Sequence, residues 1–260
     1  MRVVSRISDF REHFENWPSV LVNYYLRRRG IIPGGTTNVK LRRGPVMNVR
    51  ILEGDSSDLL RILQVWDAKI YNVAGFELET NSKVLDIGAH IGSFTLYAAT
   101  IAQGTKVFSY EPHPDNYHRL VENVRASGCT NVVTHNQAVS DKRSKGRLYV
   151  NSSNTGAHTI LEDLDKDSVE VELVSIADVF DDNKIDFCNF MKMDCEGAEY
   201  PILLNTPTKY LNRIGKIAME YHESRARKVN ELTSRLHGIG FNTLLNEFRP
   251  GHSGILYACR

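Results

Sequence analysis

The chain is poor in cysteine, carries almost no net charge and contains no long apolar run. Its four cysteines (Cys129, Cys188, Cys195 and Cys259) include no C-x-x-C pair. A disulfide framework is therefore not expected; reduced core thiols and a cytoplasmic setting are. None of the nine histidines pair at i, i+3 or i, i+4. His113 and His118, five apart, fall on different helix faces, which disfavours a histidine zinc site. A formal net charge of +1 exerts no overall pull toward nucleic acid or a membrane surface. No apolar stretch approaches the roughly 20 residues that span a bilayer. Arg2, Arg6, Asp9, Arg11 and Glu12 make the N-terminus too charged for a signal-peptide core. Two phosphate-binding signatures are also missing. No Gly-Lys-Ser/Thr follows a glycine loop, and the nearest approach to G-x-G-x-x-G has His90 where the second glycine should stand, which argues against a dinucleotide and an oxidoreductase.

What is present is a regular alternation. From Lys83 onward, apolar runs at 83–87, 106–110, 131–135, 187–193, 215–220, 241–245 and 254–259 read as strands. Helical periodicity falls between them at 93–102, 114–127, 198–205 and 224–238. This order predicts an α/β fold with a doubly wound, mostly parallel seven-stranded sheet. The last two strands lack an intervening helix, so an antiparallel pair should close one edge. Residues 51–260 form this domain, with extra strands and a loop inserted at about 140–175. Asp55-Ser56-Ser57-Asp58 reads as the start of a helix at about 58–71 that turns Leu59, Ile62, Leu63 and Trp66 inward. Residues 1–50 read as a helical arm over 8–29 followed by a glycine- and proline-rich loop. The arm's Arg27-Arg28-Arg29, Lys40, Arg42 and Arg43 read as a solvated basic face.

In open α/β sheets ligands bind beyond the carboxyl ends of the strands. The strand ends here carry Asp86, Glu111, Asn136-Gln137-Ala138, Asp194 and Glu220-Tyr221-His222. The loop Asp86-Ile87-Gly88-Ala89-His90-Ile91-Gly92-Ser93-Phe94 turns from strand to helix with glycines where backbone and ligand would meet. Glu111, held by Pro112 about 20 residues beyond that loop, suits the two hydroxyls of a ribose. Acids without a phosphate cradle point to an adenosine ligand lacking phosphates, and S-adenosylmethionine answers that description. Asn116 and Asn123, on the following helix, are expected to cap it or face solvent. Lys192, Asp194 and Glu196 share one face at period two, which is costly in a buried strand unless they pair or meet ligand. His222, beside Glu220, has the near-neutral pKa of a residue able to take a proton from a hydroxyl.

Together, Val84 to Gly92, Glu111-Pro112, Lys192-Met193-Asp194-Cys195-Glu196-Gly197-Ala198-Glu199 and Glu220-Tyr221-His222 resemble the FkbM family of S-adenosylmethionine-dependent methyltransferases, over about residues 55–245. The resemblance implies a class I methyltransferase fold. It also implies a donor site built by Asp86, Gly88, Ala89, His90, Gly92, Phe94, Glu111, Pro112, Gln137, Ala138 and Asp194. His90 departs from the smaller polar residue usual at its position. The expected reaction is O-methylation of a hydroxyl on a sugar, glycan or other small metabolite. His222 or Asp194 would be the base, Glu196 and Lys192 would position the acceptor, and the loop Asn151-Ser152-Ser153-Asn154-Thr155-Gly156 would cover it. Asp194 with Glu196 would offer a divalent ion oxygen ligands that suit magnesium, but no metal is expected. A non-catalytic adenosyl-binding scaffold is the alternative, and the arm is a candidate homodimer contact.

Overall fold

The computed structural model describes residues 7–151, 154–156, 158–160, 167–249 and 251–260. The N-terminal part comprises helices α1 (Ile7–His13) and α2 (Trp17–Arg28), the hairpin β1 (Gly35–Lys40) and β2 (Val46–Ile51), and helix α3 (Ser57–Trp66). The single helix expected over 8–29 breaks between its two halves. Phe14 bridges to Leu41, and the Asn16 side chain donates to the Asn38 carbonyl and accepts from the Lys40 amide. Pro18 then sits in the first turn of α2, where its missing N–H goes unneeded.

The alternating part follows: β3 (Lys83–Ile87), α4 (Ser93–Ile101), β4 (Lys106–Tyr110), α5 (Pro114–Ala126) and β5 (Val132–His135). The insertion supplies β6 (Ala138–Ser140), β7 (Ser144–Tyr149) and β8 (Ser168–Ser175). Then come α6 (Ile176–Asp182), β9 (Cys188–Met193), α7 (Glu199–Asn205) and α8 (Thr208–Leu211). The chain closes with β10 (Ile214–His222), α9 (Val229–His237), β11 (Asn242–Arg249) and β12 (Ser253–Cys259). Helix α6, which the sequence reading passed over, starts at a capping box formed by Ser175 and Asp178.

Seven strands form the main sheet in the order β11-β12-β10-β9-β3-β4-β5. Strands β5, β4, β3, β9 and β10 run parallel, and β12 reverses between β10 and the outermost strand β11. The chain order switches between β3 and β9, so a crevice opens at their carboxyl ends. The insertion forms its own three-stranded sheet, β6-β8-β7, at one side of that crevice.

The arm is packed onto this domain. Phe10, Val20 and Tyr24 of the helices and Phe14 between them, with Met47, Val49 and Ile51 of the hairpin, share one core with Leu59, Ile62 and Leu63 of α3 and with Ile91 and Leu96 behind the glycine loop. A boundary at residue 50 would cut strand β2. Asn123 is buried rather than solvent-facing. Its side chain accepts from the Asn48 amide at 2.7 Å and donates to the Ile91 carbonyl at 2.9 Å, fastening the hairpin to the loop.

Two glycines of that loop are required by protein packing. Gly88 lies at φ +75°, and a Cβ there would come within 1.9 Å of the Asp194 carbonyl oxygen. Gly92 lies at φ +90° with its Cβ position 2.7 Å from Leu120. The first allows the ends of β3 and β9 to touch and the second seats α5.

Candidate active site

A cavity open to solvent lies at the carboxyl ends of β3, β4 and β9. One half is built by the loop after β3 and the turn after β4. Four of the loop's amides are already taken: Gly88 and Ala89 donate to the Tyr110 carbonyl, Gly92 to Ala89, and His90 to the carboxylate of Glu111 at 2.8 Å. No pyrophosphate cradle is left by those four. Glu111 is 5% exposed; besides His90 it receives the His113 amide at 2.9 Å and the Asn116 side chain at 3.4 Å. Burial pushes its carboxyl up to about 7 despite these donors.

His90 holds φ +53°, with its ring in a buried ionic cluster. Arg50 forms a paired contact with Asp58, at 2.8 Å and 3.0 Å, and donates to Asn116 at 2.7 Å. The His90 Nε2 atom lies 3.2 Å from both Asp58 and Arg50. Burial lowers its pKa to about 4, so the ring is neutral near pH 7. Its Nδ1 is buried without a partner in a side chain that lines the cavity. The expected helix start is thus an ion pair: Asp58 faces Arg50, and Asp55 takes the Ser57 amide.

The other half gathers charge. Lys192, from the end of β9, reaches Asp86 at 3.2 Å and the Gly88 carbonyl at 2.6 Å. Burial alone would lower its pKa, but Asp86 and then Asp194 hold it raised. Beyond it Asp194, Glu196 and Glu220 surround Arg61 of α3, at 3.4, 3.7 and 3.1 Å. The Tyr71 hydroxyl lies 3.5 Å from Asp194. Glu196 occupies φ +51° in the turn before α7, which takes it out of the strand alternation. Burial, then Asp194, pushes its carboxyl up to about 7, whereas Arg61 and Lys192 outweigh burial at Asp194 and hold it low. His222 presents Nδ1 to Glu199 at 3.3 Å and Nε2 to Glu196 at 3.4 Å. Burial opposes its charge, yet the hydrogen bond and charge of Glu199, with Glu196, raise it to about 10. The ring is an imidazolium at neutral pH.

Ten of the sequence-derived candidates line the cavity: Gly88, Ala89, His90, Phe94, Glu111, Pro112, Ala138, Lys192, Asp194 and Glu196. Asp86 lies beneath it, fully buried on Lys192 and Thr95. Gly92 sits behind the loop, and Gln137 turns outward to Glu172. His222 touches the site through Glu196 and Glu199. Asn116, expected on the helix surface, is 2% exposed and joins Glu111, Arg50 and the Thr155 carbonyl. Of the covering loop, Gly156 lines the cavity and Thr155 is held by Asp55 and Ser57; Ser152 and Ser153 lie outside the described residues. Arg61 and Tyr71 escaped the sequence reading. The one available signal was a second helical face, Asp58, Arg61 and Val65 at i, i+3 and i+7.

A parallel sheet reversed at β12, a ligand crevice at the β3 and β9 switch, and acids where a dinucleotide site needs free amides define a class I methyltransferase fold. Residues 86–242 match the profile of the methyltransferase FkbM domain, and the chain belongs to that family. It is 26% identical over 178 residues to the hexuronic acid methyltransferase AglP of Haloferax volcanii, covering 68% of this chain and 66% of the relative. It is 25% identical over 235 residues to the 31-O-demethyl-FK506 methyltransferase FkbM of Streptomyces tacrolimicus, covering 77% and 87%. A third relative, the AMB antimetabolite synthetase AmbE of Pseudomonas aeruginosa, is 23% identical over 224 residues, 71% of this chain but 10% of AmbE. Among solved structures, Aeropyrum pernix fibrillarin in complex with S-adenosyl-L-methionine aligns at TM-score 0.49 and 10% identity, covering 86% of this chain and 94% of that one.

Proposed function

We propose that this chain is an S-adenosylmethionine-dependent O-methyltransferase acting on a hydroxyl of a sugar, glycan or other small polyhydroxylated metabolite. One observation carries the reading: a single cavity has a hydrogen-bonded carboxylate at one end, Glu111, and a cluster of carboxylates at the other, with four amides of the loop between them already hydrogen-bonded within the protein. The residues suit the donor. Glu111 has acceptor capacity for ribose hydroxyls, and His90 Nδ1 and Asp194 Oδ1 are buried atoms without partners in its walls. A sulfonium donor, when bound, supplies an electrophilic methyl group.

The chain's own part is to hold the acceptor oxygen and to take its proton. Positioning of this kind supplies up to roughly 7–11 kcal/mol of a barrier, and a general base about 10²- to 10⁴-fold in rate. We assign the base to Glu196. Its carboxyl titrates near neutrality and faces the cavity, whereas His222, already charged between Glu196 and Glu199, has no free lone pair to accept with. His222 then holds the turn that carries Glu196. Asp194, kept ionised by Arg61 and Lys192, is suited to orient the acceptor hydroxyl. Two relatives whose names specify a 31-O-demethyl substrate and a hexuronic acid support an oxygen acceptor.

The test is a thermal-shift series with S-adenosylmethionine, S-adenosylhomocysteine and NAD. Stabilisation by the first two alone is expected; stabilisation by NAD, or by none of them, would refute the reading.

A further inference from the structure

The cation at the centre of the acid cluster comes from a helix outside the family's strand-end motifs. Arg61 projects from α3 and is 19% exposed as a side chain. One terminal nitrogen lies 3.1 Å from Glu220, 3.4 Å from Asp194 and 3.2 Å from the Gln64 side-chain oxygen; the other lies 3.7 Å from Glu196. A guanidinium offers five donors in a fixed plane, so a single group can span three carboxylates. Without it, three acids would crowd one low-dielectric space with only His222 and Lys192 nearby, and like charges at that separation are strongly unfavourable.

The same atoms have a second property. Ligand-type atoms of Asp194, Glu220 and His222 lie within 4.8 Å of one another, close enough to converge on one ion. Asp194 Oδ1 is buried without a partner, in a side chain 8% exposed. Two of those three residues are the closest acidic contacts of the Arg61 guanidinium. Arginine and a divalent ion would therefore compete for one position, and the arginine is covalently tethered there.

Building on the methyltransferase reading, we propose that Arg61 is the positioning cation of the reaction centre: its guanidinium gathers Asp194, Glu196 and Glu220 and fills the place among Asp194, Glu220 and His222 that a divalent ion would otherwise take. Arg61 acts through the carboxylates, holding Asp194 ionised and Glu196 turned to the cavity. The chemistry at this centre then relies on a guanidinium, and divalent ions do not enter it while Arg61 is in place. Because α3 also starts at the Asp55–Ser57 contact with Thr155, the same helix sets both the covering segment and the cation.

The experiment is Mn²⁺ titration followed by electron paramagnetic resonance, on the full chain and on its Arg61→Ala and Arg61→Met variants. The second variant keeps an apolar stem in case the first does not fold, and circular dichroism melts check both. The wild-type chain should bind Mn²⁺ at least tenfold more weakly than a folded Arg61 variant, and adding Asp194→Asn to that variant should abolish the gain. A loss of positive charge that merely loosened packing would not create a metal site that Asp194→Asn removes. Tight Mn²⁺ binding by the wild-type chain, or a folded Arg61 variant with no gain, would overturn the assignment. S-adenosylmethionine stabilisation of the wild-type chain is measured alongside: its absence would sink the methyltransferase reading while leaving the Mn²⁺ comparison intact.

Discussion

Glu111, the proposed ribose contact, also carries a pH signature. Both its oxygens accept backbone amides, yet burial lifts the group to about 7. The sign follows from that direction. The folded chain holds this proton more tightly than the unfolded one does, so the group opposes folding progressively as pH rises from its ordinary carboxylate range through about 7. In the proposed donor site ribose hydroxyls would donate to the ionised form, so binding should run the other way. Donor affinity measured by calorimetry should increase several-fold from pH 6 to pH 8, and Glu111→Gln should flatten that rise. His222 runs in the same direction, at higher pH. Its raised pKa of about 10 contributes stability that is complete below its ordinary 6.5 and is lost as pH climbs through 10. In melts between pH 6 and 10, the stability advantage of the wild-type chain over His222→Gln should therefore shrink as pH increases; a constant difference would contradict an imidazolium between Glu196 and Glu199.

At the scale of elements, the close contact between the ends of β3 and β9 organises the site. The Asp194 amide donates to the Ile87 carbonyl at 3.0 Å, Lys192 caps the Ile87 and Gly88 carbonyls, and Gly88 makes room for the Asp194 carbonyl. Gly88→Ala should cost on the order of 2–5 kcal/mol from overpacking and left-handed strain together. Gly54→Ala, also at positive φ but with open space around its Cβ position, isolates the strain and should cost only about 1–2 kcal/mol. Urea melts measure both, and equal losses would show that the Asp194 contact is not tight. The elements themselves were readable because parallel strands buried on both faces spell apolar runs. Their partners were not. Arg50, on β2, meets His90 and Asn116 across long stretches of chain, and a charged residue on a strand gives no hint of which distant groups it will face. Asn116 and Asn123 looked like helix-surface residues because the hairpin that buries them lies far away in sequence. Arg61 escaped because the inward stripe of α3 accounts for Leu59, Ile62 and Leu63 and leaves the neighbouring face unread.

For the whole molecule, arm and sheet share one core and should unfold together. Both tryptophans, Trp17 and Trp66, pack against the core that the arm shares with α3 and the back of the glycine loop. Tryptophan fluorescence therefore reports that junction, while far-UV circular dichroism reports all elements. The two transitions should coincide in urea; an earlier fluorescence transition would mean that the arm detaches first. The shared core also explains why the sequence boundary near residue 50 does not separate two structural units. The arm supplies the layer behind the glycine loop, and α3 carries that layer through to the acid cluster around Arg61.

The most direct measurement is calorimetric titration of S-adenosylmethionine into the wild-type chain and Glu111→Ala near pH 8, where Glu111 is mostly ionised. Losing hydrogen bonds to a charged group weakens binding by about 1.5–3 kcal/mol. The wild-type chain should bind with one-to-one stoichiometry and the variant at least tenfold more weakly, with both folded by circular dichroism. Equal affinity in the two proteins, or no binding by the wild-type chain, would contradict an adenosine held at the end of β4.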